Sequence, residues 1–281
     1  MKIREACQAG AFYAGTAKSL KTQIEDCFLG KYGPGSLPKI NEKGERIIKA
    51  LVCPHAGYMY SGQVAAHSYF ALANDGIPEV IVIIGPNHTG MGSGISIMDE
   101  GKWRTPLGEL EIDSSLAKEI YKNSSIIDID EMAHKYEHSI EVQLPFLQYI
   151  YGNRVKFVPI CMMLQDLETS IEVGEAIAKA LFNKNSVIIA SSDMTHYEPQ
   201  KIAEKKDKLA LNAILELNEK KLHEVIESEL ISMCGYGPVT AAIKASKSLG
   251  ASKAKLLCYK TSGDITGDYE AVVGYASVSI V

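Results

Sequence analysis

The sequence predicts an α/β protein: a three-layer α/β/α sandwich with a mostly parallel, partly mixed central sheet. Two patterns predict it. Apolar segments rich in Val and Ile recur along the chain, and most of them lack polar alternation, which is typical of strands covered on both faces. Segments with helical spacing separate most of them. The predicted strands are 47–53, 79–85, 154–160, 186–192, 254–260 and 271–280.

Four segments between these strands have helical patterns. In one of them Leu167, Ile171, Gly174, Ile177 and Leu181 recur at intervals of three and four, which places them on one helix face. The last helix has a proline near its start, a position that suits proline because its missing N–H would be unpaired there anyway. The predicted helices are 61–73, 167–181, 200–217 and 238–249.

The order of these segments indicates how the chain is organised. The last two strands follow each other through the turn-rich sequence TSGDITGDYE, so part of the sheet is expected to be antiparallel. No internal repeat or low-complexity linker interrupts the chain, and residues 1–281 are therefore predicted to form a single domain. We expect a surface loop at 33–44 and a small β-structure at 95–112.

Charge and composition argue against two classes of partner. The chain has a formal net charge of −5 and no dense block of Lys or Arg, unlike proteins that bind nucleic acid or anionic membranes. No apolar run approaches the roughly 18 residues that a membrane span requires. The N-terminal sequence MKIREACQAG lacks the apolar core of a secretory signal. We therefore expect a cytoplasmic protein whose six cysteines, none in a C-x-x-C pair, are mostly free thiols.

Three histidines follow predicted buried strands directly. His55 comes after ALVCP, His88 after VIVIIGPN and His196 after VIIASSDMT. Ligands of open α/β sheets bind at the carboxyl ends of the strands, so the three imidazoles converge if their strands are parallel neighbours. Imidazole is the commonest metal ligand and the usual acid or base near neutral pH. The pattern therefore indicates a metal site, a proton-transfer site, or both.

Three further residues are candidates for the same site. His138 lies beside Glu137 in a polar stretch that could reach the crevice. Cys234 precedes a predicted helix, where free amides and the helix dipole favour a thiolate, a strong ligand for soft metals. Asp193 could orient the imidazole of His196, bind metal itself, or cap the helix that begins near Pro199.

Six short motifs together resemble the Memo family, known in prokaryotes as the B component of the AmmeMemoRadiSam system. The resemblance extends from Arg4 to the C-terminal VVGYASVSIV, nearly the whole chain. It implies a fold similar to that of class III extradiol dioxygenases, which hold a non-heme iron with two histidines and one carboxylate. The motifs are, in order, REACQAGAFY, PHAGYMYSG, IIGPNHTG, EHSIEVQLPF, SSDMTHYE and CGYGP.

The resemblance also implies roles for individual residues. His55 and His88 correspond to the two metal-binding histidines, His196 to the acid–base histidine, and His138 to a second histidine on the substrate side. Cys234 takes the place of the ligating carboxylate. Two imidazoles and a carboxylate suit Fe(II) and dioxygen, whereas two imidazoles and a thiolate suit copper, zinc, or iron held differently. One metal ion is therefore expected, iron or copper, with zinc as a further option.

Three functions stay open at this stage. The first is a metal-dependent redox enzyme in which His55, His88 and Cys234 bind metal, while His196, oriented by Asp193, moves protons and Tyr58 closes the pocket. The second is a protein that binds copper, iron or a peptide in the crevice without turnover. The third, the least favoured, is a ring-cleaving dioxygenase. The expected ligand is a small molecule or a peptide, and the family's system name implies AMMECR-type and radical-SAM proteins as partners.

Overall fold

Twelve strands form two sheets in a computed structural model that describes residues 2–281. The larger sheet has nine strands, and two of its central strands, the seven-residue β3 and β8, are apolar and buried apart from Lys156, as the sequence predicts. In chain order the strands are β1 (Ile3–Arg4), β2 (Ala50–Cys53), β3 (Val80–Pro86), β4 (Ile95–Ile97), β5 (Lys102–Thr105), β6 (Gly108–Glu111), β7 (Asp128–Ile129), β8 (Lys156–Met162), β9 (Ser186–Ser191), β10 (His196–Glu198), β11 (Ala254–Thr261) and β12 (Val272–Ile280).

The larger sheet is mixed, with a parallel centre. Its strand order is β10–β12–β2–β9–β3–β8–β4–β7, and β11 also pairs with β12. Strands β2, β9, β3 and β8 are mutually parallel, so their carboxyl ends lie at one edge of the sheet. Strand β12 runs antiparallel to β2, β10 and β11, and β4 runs antiparallel to β8. The predicted sheet, mostly parallel and partly mixed, is confirmed.

Helices cover the sheet in two layers. One layer contains α2, with α1 and α4 packed against it, and the other contains α8, with α5 and α7 packed against it. This arrangement confirms the three-layer sandwich. The helices are α1 (Ala17–Leu29), α2 (Tyr58–Asp75), α3 (Ser114–Lys122), α4 (Leu144–Tyr151), α5 (Leu167–Leu181), α6 (Gln200–Leu215), α7 (Glu219–Ser228), α8 (Tyr236–Ser248) and α9 (Ser262–Thr266).

Some local predictions differ from the structure. Strand β11 is not covered on both faces: most of its residues are half-buried or exposed, because it pairs only with β12 at the margin of the sheet. Helix α2 begins at Tyr58, three residues before the predicted start. The predicted β-structure at 95–112 is confirmed, although β4 joins the larger sheet while β5 and β6 pair with β1 in a separate one. Within residues 2–281, no helix has both the length and the hydropathy that a bilayer crossing needs.

Candidate metal centre

Three histidines meet above the carboxyl ends of the parallel strands. His55 follows β2, His88 follows β3, and His138 lies in the loop before α4. Each offers a ligating ring nitrogen, and these nitrogens all lie within 4.8 Å of one another. The ring centroids are 4.4 to 5.3 Å apart. We call these residues the three-imidazole group; it joins two predicted metal ligands with the predicted substrate-side histidine.

A glycine allows the loop of His138 to reach this position. Gly85 lies near the end of β3, where a Cβ atom would fall 2.3 Å from Oγ of Ser139. Because glycine has no Cβ atom, the loop packs directly on the strand. Ser139 Oγ donates a hydrogen bond to the carbonyl of Pro86 at 2.9 Å. The close approach places His138 beside His88, with ring centroids 4.4 Å apart.

The hydrogen bonds around His55 determine which of its nitrogens faces the crevice. Ser191 Oγ donates to the carbonyl of Ser139 at 2.6 Å and accepts from Nε2 of Gln143 at 2.8 Å. Its remaining lone pair can accept a hydrogen bond, so we assign the proton of His55 to Nδ1, 2.9 Å from Ser191 Oγ. Nε2 of His55 then carries the lone pair, which is the form of imidazole that binds metals; in the metal-free protein it faces Sγ of Cys234 at 3.2 Å.

A buried carboxylate supports the other two imidazoles. Oε1 of Glu137 lies 2.8 Å from Nδ1 of His88 and 3.4 Å from Nδ1 of His138, and it accepts hydrogen bonds from the backbone amides of His138 and Ser139. Burial alone would raise the pKa of Glu137, but the hydrogen bond and charge of His88, with the charge of His138, hold it at about 2. A carboxylate of this kind fixes ring orientation and increases the basicity of a metal-binding histidine.

Burial also keeps two of the imidazoles neutral. It lowers the pKa of His138 to about 4, an effect that the neighbouring Glu137 partly offsets. It lowers the pKa of His55 well below its ordinary value, and the charges of His138, His88 and His196 lower it further. Both rings are therefore neutral at neutral pH, so a metal ion would not have to compete with ring protonation for these two ligands.

Cys234 lies beside this group rather than within it. Its Sγ is 3.2 Å from Nε2 of His55 and accepts a hydrogen bond from the backbone amide of Asp193 at 3.3 Å. The prediction of a favoured thiolate is wrong for the metal-free protein, because burial and the charge of Asp193 raise the pKa of this thiol. A metal ion deprotonates a thiol that coordinates it, so the raised pKa does not by itself prevent Cys234, which lies next to His55, from binding a metal.

Asp193 and His196 lie at the same end of the sheet but are held by different partners. Asp193 is buried, and its Oδ1 accepts a hydrogen bond from the backbone amide of His55 at 2.8 Å. Burial raises the pKa of this carboxyl group. The ring of His196 instead has Nδ1 2.9 Å from the carbonyl of Ser232. The prediction that Asp193 orients this ring is therefore wrong: the Ser232 carbonyl does so.

A cavity of about 690 Å³ joins these residues to solvent. The three-imidazole group, Asp193 and His196 line it together with Phe12, Tyr60, Tyr197 and Tyr275. Tyr197 is 77% exposed at a backbone φ of 58°, beside a register shift in the pairing of β10 with β12. Left-handed backbone at a non-glycine residue is strained and clusters at functional sites. Tyr58 does not close the pocket as predicted, because it is buried and its hydroxyl donates to the carbonyl of Val142.

Comparison with known proteins identifies the family. A family model described as Memo-like protein matches residues 4–279. The chain belongs to the Memo family. It is 55% identical to the MEMO1 family protein MJ0403 of Methanocaldococcus jannaschii, with 99% of each chain covered. It is 50% identical to the MEMO1 family protein MK0963 of Methanopyrus kandleri and 48% identical to a MEMO1 family protein of Sulfurisphaera tokodaii, with 98% of each chain covered in both cases.

A solved structure shares the fold of this Memo-family chain. The Escherichia coli K12 protein JW3007 superimposes with a TM-score of 0.56 over 83% of this chain and 100% of its own. The two sequences are 16% identical, so the likeness concerns the fold alone. The resemblance to the Memo family inferred from six motifs is confirmed, and the α/β architecture expected from it agrees with the structure.

The three-imidazole group fits a transition-metal ion. Zinc lies about 2.0–2.1 Å from a histidine nitrogen, so three nitrogens that share an ion in a tetrahedral or trigonal arrangement are about 3.3–3.6 Å apart. The nitrogens of this group lie within 4.8 Å of one another, so rotation of the rings towards a common point would bring them to bonding positions around one ion. Imidazole ligands suit zinc, copper, iron and nickel. The donor set therefore accommodates a metal ion without selecting one.

Several residues of this site were missed by sequence reasoning. Glu137 was noted only as the neighbour of His138, although a carboxylate next to a candidate ligand is itself a signal. Ser191 and Gln143 support His55, and Ser191 was detectable as a polar residue that ends an apolar strand. Tyr275 had no such signal, because it lies inside the apolar C-terminal strand.

Proposed function

We propose that His55, His88 and His138 bind one transition-metal ion, and that the cavity above it binds a small molecule or a peptide for a metal-dependent redox reaction. The observation that carries this proposal is the convergence of three imidazole nitrogens on one point of the cavity. An iron or copper ion would supply electron transfer, which these side chains lack. The three-imidazole group contains no carboxylate, so it does not select iron, and copper or zinc also suits it.

Cys234 and His196 have separate proposed roles. Cys234, 3.2 Å from Nε2 of His55, would become a further donor if a bound ion displaced its proton. His196 lines the same cavity outside the three-imidazole group, with its Nδ1 held by Ser232, so its other nitrogen is available for proton transfer to or from a bound ligand. Asp193 holds the backbone at His55 and adds a second titratable group to the cavity.

Metal content tests the ligand assignment. We expect about one ion per chain in the wild-type protein purified without chelators, and a loss of that ion in His55→Ala and His138→Ala. His196→Ala should keep it, because His196 is not in the group. His67→Ala is a matched control in α2, where the ring lies 2.9 Å from the carbonyl of Tyr32. Full metal content in His55→Ala and His138→Ala would contradict the proposal.

Oxygen consumption separates the redox proposal from binding without turnover. The absence of a carboxylate from the three-imidazole group favours this second candidate, a protein that binds copper or iron and does no chemistry. We expect metal-dependent oxygen consumption in the presence of a reductant, and its loss in His196→Ala at full metal content. A metal-loaded wild-type protein that consumes no oxygen would favour the binding candidate.

Family membership also supports a proposal about partners. The chain belongs to the Memo family, and the family's system name associates it with AMMECR-type and radical-SAM proteins. We expect a tagged copy of the chain to retain these proteins when it is isolated from its native host. Isolation of neither protein under mild conditions would contradict a physical association.

A further inference from the structure

A tyrosine of the C-terminal strand lies across from the three-imidazole group. In the pairing of β12 with β2, Val278 lies opposite Val52 and Ser279 opposite Leu51, and continuing this register brings Tyr275 opposite His55. Val273, two residues away and so on the same face of the strand, lies opposite His196. Both Val273 and Tyr275 line the cavity.

The hydroxyl of Tyr275 differs from those of the other buried tyrosines. Tyr13, Tyr58, Tyr69 and Tyr151 are also buried, and each donates its hydroxyl to a protein acceptor. Tyr275 is 2% exposed, yet among residues 2–281 its hydroxyl has no protein partner. Tyr275 lines the cavity, and its oxygen is not among the fully buried polar atoms that lack a partner, so the hydroxyl opens onto the cavity and can bond a ligand there.

The surroundings of this hydroxyl restrict the partner. Burial and the nearby charge of Asp193 raise the pKa of Tyr275, so the phenol remains protonated and can donate. Asp193 and Asp268 line the cavity, whereas no Lys or Arg within the described residues 2–281 does so. An anionic group therefore has no cationic side chain to pair with there. The rings of Phe12 and Tyr60 supply an aromatic wall.

We infer that Tyr275 is a ligand-binding residue, whose hydroxyl donates a hydrogen bond to an uncharged oxygen, a hydroxyl or a carbonyl, of a compound with a flat apolar body. The inference rests on the proposed function in one respect: the compound is the one that binds beside the proposed ion. It assigns to the Tyr275 side of the cavity a neutral, oxygen-bearing group, because among residues 2–281 no Lys or Arg lines the cavity to pair with a phosphate or a carboxylate away from the proposed ion.

Three small probes of similar shape test this inference: benzyl alcohol, ethylbenzene and benzoate. Their dissociation constants are measured by ligand-observed NMR for the wild-type protein and for Tyr275→Phe, each with its metal and after the metal is removed. One neutral hydrogen bond corresponds to about a 3- to 10-fold change in affinity. We expect Tyr275→Phe to weaken benzyl alcohol by this factor and to leave ethylbenzene unchanged. In the metal-free protein benzoate should bind more weakly than benzyl alcohol.

Tyr121→Phe, an exposed tyrosine on α3, is the control and should change no constant. Equal weakening of benzyl alcohol and ethylbenzene in Tyr275→Phe would indicate a structural role and overturn the inference, as would unchanged binding of both. If benzoate bound the metal-free protein more tightly than the other two probes, the proposed class of neutral ligand would be wrong. Metal content is measured on the same samples. A protein that holds no metal before the removal step would count against the proposed metal centre, and the metal-free titrations would still decide the role of Tyr275.

Discussion

Two groups of ionisable side chains are anchored in one short stretch, residues 137–141, and they differ in how their polar atoms are used. In the first, which we call the sealed cluster (Arg4, Cys7, Tyr13 and Glu141), both oxygens of Glu141 are occupied by the Tyr13 hydroxyl, the Arg4 guanidinium and backbone amides. In the three-imidazole group, Nε2 of His55 carries a lone pair whose neighbour is the Cys234 thiol, 3.2 Å away, a weak donor that a metal ion would displace. The hydrogen bonds and ion pair of Glu141 give the sealed cluster a structural role. A ring nitrogen that faces the cavity can instead bind a metal ion or a ligand.

The sealed cluster also supports the metal centre. Arg4 donates from Nη2 to the carbonyl of Glu137 at 2.8 Å and from Nε to the carbonyl of His134 at 2.9 Å. It therefore holds both ends of the loop that delivers His138. The ring of Phe12, in the same N-terminal segment, lies 4.7 Å from the ring of His138. The N-terminal segment fixes the loop, and the loop then presents the ligand.

The largest expected effect comes from breaking the sealed cluster. In Arg4→Met, the Glu141 carboxylate stays buried without its cation, because both side chains of the pair are buried. Removing one partner of a buried pair costs about 3–5 kcal/mol of unfolding free energy, which denaturant titration measures. Lys220→Met, which removes an exposed partner of Glu224, should leave stability unchanged. Equal stabilities of Arg4→Met and wild type would show that the cluster is not structural.

The next effect concerns His134, which is buried beside Arg4 and Trp103. Burial and the Arg4 charge lower its pKa from 6.5 to about 4. The folded state therefore binds fewer protons than the unfolded state between these values, and stability that is complete above pH 6.5 is lost as the pH falls towards 4. Each pKa unit corresponds to about 1.4 kcal/mol, so the loss from this residue is about 3 kcal/mol.

His134→Phe removes this titration and keeps an aromatic ring next to Trp103. We expect its stability to fall by about 3 kcal/mol less than that of the wild type between pH 6.5 and 4, because all other titrating groups are shared. Denaturant titrations at several pH values on the metal-free proteins provide the comparison. Parallel stability curves for the two proteins would show that His134 is not buried in its neutral form.

The smallest of the three expected effects is a loss of metal affinity at the three-imidazole group. Glu137→Gln keeps the shape of the side chain but removes the charge that faces His88 and His138. Loss of such a supporting group typically weakens metal binding by about 10- to 100-fold. Competition with a chromophoric chelator measures the affinity. Glu131→Gln, an exposed carboxylate of the same loop, serves as the control, and equal affinities of the two variants would contradict a supporting role.

The sequence predicted the structure correctly where a local pattern alone determines where a residue lies. A histidine directly after a buried parallel strand must lie at the carboxyl edge of the sheet, so His55 and His88 could be placed from pattern alone. The helix at 167–181 was predicted at its exact bounds because its apolar residues recur on one face. His138 was a candidate from its place beside Glu137 in a polar loop, and the family resemblance added its expected role on the substrate side.

The sequence was uninformative where an outcome depends on distant partners. A cysteine ahead of a helix suggests a thiolate, but Cys234 lies in a buried setting beside Asp193, and burial dominates its pKa. Asp193 is three residues from His196, yet the fold turns its carboxylate towards the backbone of His55. Tyr275 shares the cavity with His55 because β12 pairs antiparallel with β2, and that register is a property of the folded sheet.

The central claim is that the three-imidazole group shares one metal ion. Its most direct test is the anomalous scattering of crystals of the metal-loaded protein, measured at the absorption edge of the ion. We predict one peak, with a ring nitrogen of each of His55, His88 and His138 about 2.0–2.2 Å from it. A peak bound elsewhere, or one held by His55, His88 and Cys234 with His138 beyond bonding distance, would contradict the claim.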